Sequence, residues 1–150
     1  MKIPIKFGLL TALGFVVWMM LAHLLITDPG SLVHTLIGPI FFNVLHFVMI
    51  FLGVRELERQ RGEKLKFKEA LKTGVAIAFF YALTASLFMV CVIFFAGAKW
   101  LAVEPGAAIM PQRMLMLQAF AGLFLGTLVL GFFYSAVIAF FVARRRSEDV

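Results

Sequence analysis

Charge is scarce in this chain, and cysteine scarcer still. Asp, Glu, Lys and Arg make up 15% of the 150 residues, where a soluble domain carries about 25%. The single cysteine, Cys91, has no partner within the chain, which excludes an intrachain disulfide and any thiol relay that needs a pair. Only eight residues are acidic, and none lies inside the long uncharged stretches, which argues against carboxylate-coupled movement of protons or sodium. There is no His-Glu-x-x-His, no serine elbow around Ser86 and no glycine loop of the phosphate-cradling kind. Without these, the protein is not expected to be an enzyme, and no cofactor is expected.

What the chain has in excess is hydrocarbon. It is 63% hydrophobic, with 18 phenylalanines and a mean hydropathy of +1.01. That is too much apolar surface for one 16.8 kDa core. Four stretches lack charge altogether: Phe7–Ile26, Leu32–Val54, Thr73–Ala98 and Met114–Ala143. About 20 apolar residues in a helix cross a bilayer roughly 30 Å thick. Lipid offers no water to an open backbone, so helices are the required form. The expected fold is all-α: one membrane domain of four transmembrane helices, over about 7–26, 32–54, 74–97 and 114–142. The first run is too long for a signal peptide and lacks an Ala-x-Ala site near its end, so helix 1 is expected to be retained.

Orientation follows from the basic residues. Lys2 and Lys6, seven more between Arg55 and Lys72, and Arg144, Arg145 and Arg146 fall on one side, leaving Lys99 and Arg113 on the other. Both termini and the loop 55–73 are therefore expected on the cytoplasmic side, with the loop 98–113 on the outer side. This asymmetry accounts for the basic pI of 9.9 without nucleic acid, and none is expected as a partner. The cytoplasmic lysines Lys64, Lys66, Lys68 and Lys72 are expected to meet anionic lipid headgroups. Phe67, Ala70, Leu71 and Gly74 fall on one helical face, so 64–72 reads either as an amphipathic lead-in at the surface or as an ordinary basic loop.

Several local signals punctuate the helices. Thr27-Asp28-Pro29-Gly30-Ser31 predicts a tight turn that makes helices 1 and 2 an antiparallel hairpin. Gly38-Pro39 predicts a kink in helix 2 and a candidate hinge, since proline removes a helical hydrogen bond. Trp100 reads as an interfacial anchor. Ala70, Gly74, Ala78, Ala82 and Ser86 place a small residue at every fourth position of helix 3, and Gly122 and Gly126 form a GxxxG step in helix 4. Small residues let membrane helices approach closely. Both sets read first as packing faces within the bundle, and second as surfaces for self-association or for a larger complex.

Polar side chains in hydrocarbon are candidate sites. Asn43 and His46 lie three residues apart on helix 2 and share a face with Pro39. They suit either an ion or polar-solute path or hydrogen bonds between helices. His23 and His34 flank the first turn at similar depth and, with Asp28, form a weak metal or haem candidate. The plainer reading of both is interfacial histidines reaching water, and no metal is expected.

Lys6-Phe7-Gly8 opens helix 1, Phe51-Leu52-Gly53-Val54-Arg55 closes helix 2, and Leu65-Lys66-Phe67-Lys68-Glu69-Ala70-Leu71-Lys72-Thr73-Gly74 leads into helix 3. This set resembles a family of small bacterial four-helix membrane proteins of unknown function, common in the Bacteroidetes lineage. The chain departs from that pattern in having a single glycine, Gly62, in the cytoplasmic loop and a shorter outer loop. The resemblance implies four helices in the inner membrane and brings no activity or catalytic residue. The expectation is a non-enzymatic accessory or self-associating subunit. The alternative is a small oligomeric transporter or channel along the Asn43–His46 face, and a third, weaker possibility is a haem-binding redox anchor.

Overall fold

The computed structural model describes residues 2–25, 36–63, 65–97 and 111–147. Regular structure among them is helical: α1 (Lys2–Leu25), α2 (Gly38–Arg61), α3 (Phe67–Ala96) and α4 (Gln112–Ser147). Each is long and apolar enough to cross a membrane. The turn at 27–31, the start of helix 2 at 32–35, His34, Lys64 and Trp100 lie outside the described residues.

The helices run past the uncharged stretches into polar flanks. α1 begins at Lys2 and holds Pro4 in its first turn, where a missing amide has no helical partner to lose. Leu36 and Ile37 are π-helical and pass into α2 at Gly38, so Pro39 stands in the first α-helical turn. α2 continues to Arg61 and stops at Gly62, whose φ of 67° is left-handed and whose amide donates to the Glu58 carbonyl at 3.1 Å.

The Lys66 amide donates to the Glu69 carboxylate at 3.2 Å, and an ion pair joins Glu69 to Arg61 at 2.5 Å, so α2 and α3 are tied across their short connection. The residues from Phe67 onward are the first turns of α3 itself, continuous with the spanning helix. Within that start Ala70 and Gly74 are buried while Phe67 is exposed, so the bundle and not a separate surface helix claims the small residues.

Close approaches fix an up-down-up-down bundle. A Cβ added to Gly8 of α1 would lie 2.6 Å from the Phe80 Cβ of α3, and one added to Gly14 would lie 2.7 Å from Leu45 of α2. α1 and α3 run parallel; α2 and α4 run opposite to them. α3 is the most enclosed helix, packing most extensively on α4 and then on α1.

Two apolar clusters form the core. One, around Ile3, Phe7, Ile50, Val54, Ile77 and Ile138, fills the end where α1 begins. The other, around Ala12, Phe15, Ala85 and Met89, fills the opposite half. Leu65, fully buried beneath the α2–α3 connection, closes the first cluster. Outside the bundle, large apolar side chains such as Leu13, Leu24, Leu117, Phe133 and Phe141 stand exposed along whole helix faces, which is what a hydrocarbon solvent requires.

Candidate functional site

Between the two apolar clusters lies a polar layer made by α2, α3 and α4. Asn43 and His46 enter from α2, Tyr81 from α3 and Tyr134 from α4. The Tyr134 hydroxyl donates to Asn43 Oδ1 at 2.6 Å, and Asn43 Nδ2 donates to the Pro39 carbonyl at 2.8 Å. His46 is 3% exposed. Its ring meets Tyr81 edge-on at 4.8 Å and Tyr134 at 5.7 Å between centroids. Its Nε2 is buried and makes no hydrogen bond with any described residue.

Gly131 makes room for that ring. A Cβ there would collide with the Ala78 Cβ and stand 3.0 Å from His46 Cε1. The structure therefore brings Asn43 and His46 into one layer, as neighbours of two tyrosines on other helices. Gly38 and Pro39 lie at the start of the same helix, and the Pro39 carbonyl is an acceptor within the layer.

The helix 3 stripe is buried throughout: Ala70, Gly74, Ala78, Ala82 and Ser86. It faces α4 where it is seen most closely, since a Cβ on Gly74 would lie 2.5 Å from Ser135 Oγ. With Ala78 against Gly131, that register sets Thr127, Gly131, Ser135 and Ala139 along the stripe, and all four are buried. The Ser135 hydroxyl donates to the Gly131 carbonyl at 2.6 Å, turning a polar side chain back on its own helix. Ser86 Oγ is buried and finds no partner among the described residues.

Gly122 and Gly126 do not take part in this packing. Both are exposed, and a Cβ on either would meet nothing within 4 Å. The small face that α4 turns to α3 is the four-residue series from Thr127 to Ala139. That series has the same spacing as the helix 3 stripe and was open to detection in the sequence, but its members are Thr, Gly, Ser and Ala, which look less alike than a glycine pair.

The basic positions divide. Lys66 and Lys68 are exposed on the α2–α3 connection and the first turn of α3, Lys72 lies further along α3, and Lys64 lies outside the described residues. The hydrogen bond from Arg61 to Glu69, helped by the Lys66 amide, holds the Glu69 carboxyl below the usual carboxylate range. Gln60, and after it Arg59, lowers that of Glu56. His23 is exposed near the end of α1, and with His34 outside the described residues the histidine pair has no described geometry. Among the described residues no group of three or more His, Cys, Asp or Glu is placed to hold a metal ion.

Four apolar helices, a core divided by a polar layer and apolar outer faces define a multi-pass membrane protein. The chain belongs to the family described as Protein of unknown function (DUF4199), whose model matches residues 6–99. The match covers α1 to α3, including Asn43, His46 and Tyr81, and stops before α4. It agrees with the resemblance carried by Phe51–Arg55 and Leu65–Gly74. No curated protein and no solved structure matches the chain.

Proposed function

We propose that this is a non-enzymatic, self-associating protein of the bacterial inner membrane, acting as a structural or accessory subunit, with both termini and the loop 55–73 in the cytoplasm. The observation that carries the reading is the outward position of Gly122 and Gly126, where backbone is bare on the lipid-facing side of the bundle. Leu125, Val129 and Phe133, all exposed, continue that face along α4. A second copy of the same helix, crossing at the two glycines, covers the bare backbone and gains close van der Waals contact that lipid chains supply less well. The face carries no ionic group, which suits a like-with-like contact. The basic residues gathered at one end support the cytoplasmic assignment through the positive-inside bias.

Native mass spectrometry of the protein purified from its own membranes in mild detergent tests this. A homo-oligomer is expected, and Gly122→Leu with Gly126→Leu should convert it to monomer while leaving the melting temperature unchanged. A monomeric wild-type protein overturns the reading. A stoichiometric foreign subunit would keep the accessory role and replace the second copy as occupant.

A second reading, a small transporter or channel with Gly38–Pro39 as hinge, is favoured by the Nε2 of His46 inside the polar layer, which has no hydrogen-bond partner among the described residues. Proton flux into proteoliposomes, lost in His46→Leu with folding and assembly kept, would support it over the structural role.

A further inference from the structure

Where α1, α2 and α3 converge at the basic end, a cleft of about 780 Å³ opens between them. Lys2, Arg61 and Lys72 line it, with Glu69 as the acid among them. Glu69 is already engaged by Arg61 and by the Lys66 amide. Lys2 and Lys72 form no ion pair with any described residue, so the cleft holds two uncompensated cations from different helices. Such charges repel one another unless an anion joins them.

Beside these charges and the polar Gln60 and Thr73, part of the wall is apolar. Ile3 and Phe80 line the same cleft, and Phe80 lies eight residues beyond Lys72 on α3. At 1.5 Å per residue that is about 12 Å further toward the hydrocarbon. Cations at one depth and an aromatic ring a little over two turns deeper match an amphipathic anion whose apolar part continues into the bilayer. A small soluble anion would leave the deeper wall uncovered.

We propose that this cleft binds the phosphate headgroup of an anionic phospholipid, held by Lys2 and Lys72, with its acyl chains leaving along Ile3 and Phe80. The site differs from the diffuse attraction expected of the loop lysines, because Lys66 and Lys68 are outside it and Lys2, from the far end of the sequence, is within it. It belongs to a single chain and stands independently of the self-association proposed above.

The test is native mass spectrometry of the delipidated full-length protein, titrated with phosphatidylglycerol, phosphatidylcholine or inorganic phosphate. Phosphatidylglycerol should bind at one site per chain and far more tightly than phosphatidylcholine. Lys2→Gln and Lys72→Gln should each weaken it about fivefold, a cationic contact near a membrane surface contributing about that factor. The double variant should lose roughly 25-fold, while Lys66→Gln with Lys68→Gln changes binding less than twofold.

Lys2→Arg with Lys72→Arg, which keeps both charges, should restore binding and separates loss of charge from loss of fold. Equal losses in the two Gln double variants overturn the site in favour of diffuse attraction. Equal binding of the two lipids, or displacement of phosphatidylglycerol by millimolar phosphate, overturns the lipid assignment. The wild-type comparison decides this even where a variant fails to fold.

Discussion

The Tyr134 hydroxyl and Asn43 Oδ1 are 2.6 Å apart, although 91 residues separate them in the chain. This bond joins α4 to α2 at mid-bundle, between two half-buried side chains. Hydrogen bonds between membrane helices contribute about 0.6 kcal/mol on average and up to about 1.7. Tyr134→Phe should therefore lower stability by about 1 kcal/mol, read by SDS titration of the protein in mixed micelles. An unchanged transition would show that this bond contributes nothing to stability.

The two kinds of glycine in α4 should respond in opposite ways to a methyl group. Gly131→Ala forces a Cβ against Ala78 and the His46 ring, so α3 and α4 must part, at a cost of about 1–3 kcal/mol. Gly126→Ala meets open space and improves helix propensity, so stability of the single chain should hold or rise by up to about 1 kcal/mol. Thermal unfolding of the two variants at equal detergent concentration compares them directly.

His46 contributes a ring to the core and a nitrogen that finds no described partner. Replacing an unsatisfied buried polar group with an apolar one of similar size is nearly neutral or stabilising. His46→Leu should keep or raise the melting temperature. A loss above about 2 kcal/mol would mean that the imidazole has a polar partner.

The link between Arg61 and Glu69 should depend on pH. Because the Glu69 carboxyl titrates below its ordinary value of 4.5 in the folded protein, its contribution is complete above that value and is lost as pH falls through the depressed one. Amide exchange at the start of α3, corrected for intrinsic rates, should accelerate as the pH falls through that depressed value. Glu69→Gln should show the fast behaviour at neutral pH and remove the pH step.

Gln112 ties the start of α4 to the end of α3. Its Nε2 donates to the Ile93 carbonyl at 2.9 Å, which also accepts the Gly97 amide at 3.0 Å, and to that of Phe94 at 3.3 Å, both in the last turn of α3. Gln112→Ala should cost about 0.5–1.5 kcal/mol, seen as a lower melting temperature, whereas Gln112→Glu removes the donor and should cost at least as much.

The helices were legible because hydrocarbon tolerates only one backbone arrangement, and charge-free runs mark it directly. The starts of α1 and α3 were not, since Lys2 and Lys68 are compatible with helix as much as with loop, and both helices extend through such residues. Asn43 and His46 stood out as polar residues in an apolar run. Tyr134, the partner of Asn43, did not, because tyrosine satisfies itself at many places in a membrane helix and nothing local marks one 91 residues away. The small residues of helix 3 were visible by their spacing, but which helix they meet is a matter of register, and the more conspicuous glycines of helix 4 face the other way.

That spacing has a further consequence for assembly. Small residues repeat every fourth position on both α3 and α4, so sliding one helix past the other by a turn, about 5.4 Å, again sets small against small. The stripes thus behave like a ratchet with several equivalent notches. One notch alone puts the bare backbone of Gly131 at the His46 ring and carries Tyr134 to Asn43. The polar layer is the pawl, and its loss would leave two helices still attracted to each other with no preferred alignment.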